Sequence, residues 1–156
     1  MLSPEALRRR GITPLEAPGA EERYTRLEFD ILDKVQITGV ARTVRTTGPG
    51  SVTAAMKLDP RFADDAEFPN RWRAIDRLAD QGERVGPPHP YAGLGGYVRV
   101  TELRQPSGAL FVELHTAFHE PPEWFEGQNV LRSKLPLVTR ENVRTFRRAL
   151  GREAAK

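Results

Sequence analysis

Apolar and charged residues alternate early in the chain, where Leu27, Phe29 and Ile31 stand between Arg26, Glu28 and Asp30. Successive strand side chains point to opposite faces, so a period of two predicts a half-buried strand. Val35 and Ile37 keep the same parity, and after Gly39 the apolar set moves to Val40 and Val44. One extra residue flips side chains to the other face, so Gly39 predicts a bulge or bend. Gly48-Pro49-Gly50 then predicts a hairpin loop; with three loop residues, Val44 faces Ala54, Thr46 faces Val52 and Val40 faces Leu58.

A second hairpin follows from "YVRVTEL" and "LFVELHTAF", joined through Pro106-Ser107-Gly108. Proline opens a turn and glycine takes a left-handed position, which suits a three-residue loop. That register pairs Leu103 with Phe111, Thr101 with Glu113, Arg99 with His115 and Val100 with Leu114. Val112, Leu114, Thr116 and Phe118 then share one face, with Glu113, His115 and His119 on the other. Between the hairpins, Trp72, Ile75, Leu78 and Ala79 fit a helical stripe with Asn70 as N-cap and Gly82 as stop, while Trp72 and Ala74 with a turn at Asp80-Gln81-Gly82 fit a strand pair. The β pattern on both sides favours strand and turn.

Two helices are legible from their ends. Ser3 as N-cap, Pro4 at the first helical position and Gly11 beyond the last turn frame a short one. Near the C-terminus, Thr139 as N-cap, Glu141 in the first turn, a Val143–Phe146–Leu150 stripe and Gly151 as stop predict an amphipathic helix over 139–150. The whole is read as one domain over 1–156: a short helix and linker over 1–22, an antiparallel β region over 24–118, and the C-terminal helix. The expected class is α+β and β-rich, a bent antiparallel sheet of about six strands or a partial barrel, covered by that helix.

Composition narrows the chemistry. The 156 residues contain no cysteine, which excludes disulfides, thiolate nucleophiles and thiolate metal sites. Without an apolar run of the roughly 18 residues a membrane span needs, and without an apolar core in "MLSPEALRRRG", a cytoplasmic protein is expected. Net charge is +3, yet eight basic residues against Glu141 and Glu153 leave +6 after residue 129, and therefore −3 before it. Such an end can meet nucleic acid or a protein partner, but arginines late in a helix also complement its dipole unaided. Nucleic acid is therefore not the expected partner.

"GPPHPYAGLGGYVRV" concentrates prolines, glycines and aromatics. A phosphate loop leads into a helix, and here a strand follows, so the stretch reads either as a long surface connection with its aromatics tucked onto the core or as a pocket rim that brings His89, Tyr91 and Tyr97 to a strand entrance. Arg99, Glu113 and His115 add a guanidinium, a carboxylate and an imidazole on one polar strand face. His115 and His119 invite a zinc reading, but four residues of strand span roughly 13 Å, too far for one ion. No metal and no cofactor is therefore expected. The leading functional expectation is a module for a small hydrophobic or acidic ligand, held between curved sheet and helix at His89, Tyr91, Tyr97, Arg99, Glu113 and His115. An enzyme using the Arg99–Glu113–His115 cluster, or an adaptor using the basic helix, are the alternatives.

Overall fold

The alternation that begins the chain's β region extends over Ala20–Ile31 as β2, paired at its start with the short β1 (Glu16–Ala17). This computed structural model describes residues 1–78, 82–128 and 130–154, in two compact units divided between His119 and Glu120. In the first unit β2 turns through Leu32 and Asp33, both in left-handed backbone, into β3 (Val35–Gly48). The β2–β3 ladder runs without interruption from Ala20↔Thr46 to Ile31↔Val35, so Gly39 makes no bulge against β2.

What happens at Gly39 lies on the opposite edge of β3. Val35–Thr38 pairs with β5 (Arg71–Leu78), whereas Ala41–Gly48 pairs with β4 (Ser51–Leu58). The edge thus changes partner at Gly39 and Val40, and the Asn70 side chain fills the gap. Its Oδ1 accepts from the Val40 N–H at 2.9 Å and its Nδ2 donates to the Asp59 carbonyl at 2.8 Å. Asp59 N–H in turn donates to the Val40 carbonyl at 2.9 Å. A Cβ on residue 39 would stand 2.5 Å from Asn70 Oδ1, so the absence of a side chain at Gly39 admits this plug.

β4 continues to β8 (Leu94–Glu102) and β8 to β9 (Leu110–Phe118), giving the order β1-β2-β3-β4-β8-β9 with β1 and β9 as open ends. Off this path β5 also pairs with β6 (Gly82–Val85) and β7 (His89–Pro90). The fold is a large, unclosed antiparallel sheet with a C-terminal helix, the partial-barrel α+β class that the alternation predicts. Residues 71–78 are strand; the Ala79, Asp80 and Gln81 positions of the expected turn lie outside the described residues.

Both hairpin registers depart from expectation. Pro49 and Gly50 form a two-residue turn, Gly50 at φ +65°, so Val44 faces Ala55 and Thr46 faces Thr53, one residue on. In the second hairpin the Leu103 N–H closes onto the Ala109 carbonyl around five residues, a slip of two. Side chains keep their faces but change partners: Tyr97 faces His115, Arg99 faces Glu113 and Thr101 faces Phe111. The glycines of the 86–100 stretch serve this packing. A Cβ on Gly96 would lie 2.3 Å from the His115 carbonyl oxygen, and one on Gly93 2.3 Å from His119 Cβ. Gly95 and Gly96 are residues of β8 itself. Gly96→Ala is expected to cost about 1–3 kcal/mol by forcing β8 from β9. An unchanged urea midpoint would show that the strands part without penalty.

An N-terminal core closes one side of this unit. α1 (Pro4–Arg8) has Ser3 as its cap, Oγ accepting from the Ala6 N–H at 3.2 Å. Leu7 and Ile12 cluster with Tyr24, Val40 and Phe62, and Leu2 and Phe68 pack against them. In the second unit, α2 spans Val130–Ala154 and contains Pro136, starting well before Thr139. Proline lacks an N–H and crowds the preceding turn, so the pattern reads as a boundary; burial of Leu131 fixes a turn ahead of it. Val143 and Phe146 remain 42% and 47% exposed, so this stripe is not the buried one expected. Among the described residues no helix is long and apolar enough to cross a membrane.

Candidate ligand site

The six residues singled out by sequence fall into separate settings. Tyr97 and His115 stack with ring centroids 4.5 Å apart at 17°, and Arg99 and Glu113 sit directly opposite one another on the same sheet face. His89, on β7, stacks instead on Trp72 of β5, centroids 4.5 Å apart at 19°. Tyr91 is buried, and its hydroxyl is directed at the carbonyls of Gly93 at 2.9 Å and His119 at 3.1 Å. Burial pushes that hydroxyl's pKa well above its ordinary value. Its polar end holds backbone together where the 86–96 stretch meets the end of β9.

A different concavity forms where β2, β3 and β5 run side by side. Their register stacks Glu28, Thr38 and Arg71 in one row and Asp30, Gln36 and Arg73 in the next. Side chains directly opposite in such rows stand roughly 5 Å apart at Cβ. Phe68 and Pro69 wall this face, and a groove of about 310 Å³ opens between them and Arg26, Glu28, Gln36, Thr38 and Arg73. Most charges around it already have partners. Arg26 donates to Glu28 at 3.0 Å, Glu67 accepts from Arg10 at 3.1 Å, and Arg71 donates to Asp64 at 2.9 Å. Arg73 has no acidic partner among the described residues.

An uncompensated guanidinium beside an amide and a hydroxyl is a donor set for a planar anion. Arginine presents a rigid fork that matches carboxylate and phosphate oxygens two at a time. Phe68 and Pro69 supply an apolar wall for the rest of such a ligand. The alternation of β3 and β5 carried a signal for this site, because Gln36, Thr38, Arg71 and Arg73 are the polar positions of those strands. Only the strand pairing, which is not written locally, brings them together.

Two buried carboxylates lie elsewhere, and both are committed to arginines. Desolvation pushes the Glu22 carboxyl up, but the Arg42 guanidinium, the Leu15 N–H and the Tyr24 hydroxyl outweigh it and hold the pKa below its ordinary value. Desolvation likewise opposes ionisation of Asp59, and Arg61 prevails through its side chain at 2.6 Å and its N–H at 2.9 Å, lowering the pKa. Arg61 also donates to the Tyr24 hydroxyl at 2.6 Å. A carboxylate held ionised by a guanidinium is a weak base, so this network knits β2, β3 and the 59–61 turn without offering proton transfer. Among the described residues no three His, Asp or Glu side chains converge as a metal site.

No family model, curated protein or solved structure matches this chain. The site's own geometry therefore carries the functional reading.

Proposed function

We propose that the protein is a binding module for a small anionic molecule with an apolar part, held in the β2–β3–β5 groove. The Arg73 guanidinium, which has no acidic partner among the described residues, carries this reading, because it gives the groove a positive charge beside Gln36 and Thr38. Phe68 and Pro69 line the opposite wall and take the apolar portion. Binding to such a groove depends on the charged end for orientation and on the wall for desolvation.

Thermal-shift titration with aromatic carboxylates and aryl phosphates, against their uncharged amides, tests the idea. A ligand that binds only the native state raises the melting temperature with concentration. Charged compounds are expected to do so and the amides not. Charge-assisted hydrogen bonds contribute roughly 1.5–3 kcal/mol, so Arg73→Ala is expected to weaken binding about 10- to 150-fold. Equal shifts from acid and amide, or an Arg73→Ala protein that binds undiminished, would rule out this groove as an anion site.

A further inference from the structure

β9 is an open end of the sheet and pairs with β8 alone among the described residues. Nine residues long, "LFVELHTAF" contains no proline or lysine, and Leu110, Phe111 and Leu114 are 60%, 52% and 49% exposed. Long, apolar edges without such blocking residues are templates for another strand, and folds usually protect them. We infer that β9 pairs antiparallel with β9 of a second copy, about a two-fold axis at Leu114.

The register follows from three conditions. A two-fold axis perpendicular to the sheet keeps each face on its own side, so opposed residues must have numbers whose sum is even. Among such registers, only an axis at Leu114, the middle of Leu110–Phe118, lets all nine residues pair. Charge then decides independently. An axis at Glu113 would set two carboxylates opposite each other, and one at His115 would oppose Glu113 to Ala117. At Leu114 each Glu113 meets the second copy's His115, so the seam carries two carboxylate–imidazole pairs. Leu114 meets its own equivalent, Leu110 meets Phe118, Val112 meets Thr116 and Phe111 meets Ala117. Cross-strand pairs of these kinds stabilise a sheet, whereas like charges directly opposite destabilise it. The row Thr53–Arg99–Glu113 already spans β4, β8 and β9, and the second copy's His115 and Tyr97 extend it across the seam.

Light scattering on the full chain at tens of micromolar is expected to read about twice the 17.5 kDa monomer mass, falling on dilution. His115→Glu places carboxylates opposite each other at both pairs, and Glu113→His places imidazoles there. Each single variant is expected to run as a monomer, with circular dichroism and melting curves reporting that it is folded. Mixing the two single variants restores a carboxylate–imidazole pair at both positions, and a heterodimer is expected to form. The double variant Glu113→His/His115→Glu restores both pairs within one chain and is expected to dimerise. Hydrogen exchange of the wild type supplies a readout free of substitution, since β9 amides must slow as concentration rises. A wild type that stays monomeric, single variants that still dimerise, or β9 exchange independent of concentration would each overturn the inference. Dimerisation abolished in both single variants but not restored on mixing would assign the edge to a different partner strand and would overturn self-pairing.

Discussion

Asn70→Ala is expected to lower the free energy of unfolding by about 2–4 kcal/mol, one of the two largest losses we anticipate. The cost comes from what remains. Val40 N–H loses its side-chain partner at a point where Val40, Asp59 and Asn70 are each no more than 1% exposed, so water cannot replace it, while the Asp59 carbonyl loses one of two donors and keeps the Phe62 N–H at 3.0 Å. Leaving one buried donor unpaired costs about 1–3 kcal/mol, and the vacated volume adds to it. Asn70→Asp separates the two bonds, because a carboxylate accepts from Val40 but cannot donate to Asp59, and it is expected to lose as much or more. Gly39 gives an internal control. Gly39→Ala alone drives a Cβ against Asn70 Oδ1, whereas in the Asn70→Ala background that atom is gone, so the two losses should be strongly non-additive. Urea denaturation of the four proteins measures the cycle. Additive losses would show that Asn70 and Gly39 act separately.

This plug also marks the limit of what the amino-acid pattern reveals. Local periodicity makes the strands legible, and cap chemistry makes Ser3, Pro4 and Gly11 legible, because each rests on residues within a few positions of one another. Asn70 reads locally as a helix N-cap; its actual partners are 30 and 11 positions away. Gly39 correctly signals a discontinuity in β3, but alternation cannot say which edge carries it, and the change proves to be a switch from β5 to β4. Hairpin registers failed for a related reason. Turn residues identify a loop without fixing how many neighbours join it, so Gly48 stayed in its ladder while Arg104 and Gln105 left theirs.

The candidate site was legible only as parts. Arg99, Glu113, Tyr97 and His115 share a face because strand parity survives a slip of two. The β2–β3–β5 groove needs Gln36 opposite Arg73 and Phe68 above them, and no local rule pairs positions so far apart. Pro136 misled for the opposite reason, since a strong local break was overridden where Leu131 is buried. Long-range pairing decided each of the strand cases, and packing decided the helix.

Arg10 provides the second large expected effect, with a dependence on pH that separates its two roles. Its Nε and Nη2 donate to Asp65 at 2.7 and 2.8 Å, and the side chains are 16% and 13% exposed. The guanidinium also lies over Phe62 and Phe68, 5.5 and 5.2 Å from the ring centres. Removing one partner of a largely buried pair costs about 3–5 kcal/mol; Asp65 still accepts from the Glu67 and Phe68 N–H groups, so Arg10→Ala is expected near the lower end, about 3 kcal/mol. Arg10→Met keeps an apolar stem over the two rings and should recover part of that loss at neutral pH. The Arg10 side chain, aided by those N–H groups, holds the Asp65 pKa well below the ordinary carboxylate range. A carboxyl depressed in the folded state stabilises above its unfolded pKa, about 4, and the stabilisation is lost as pH falls toward the folded value. In either Arg10 variant the Glu67 and Phe68 N–H groups still favour the carboxylate, but its strongest stabilising partner is gone, so the variant loses less than wild type on acidification. The stability gap between wild type and Arg10→Met, measured by urea denaturation, is therefore expected to narrow from pH 7 to pH 3. Should the gap stay constant across that window, Arg10 would be acting through its packing on Phe62 and Phe68, and the ion pair would contribute nothing measurable.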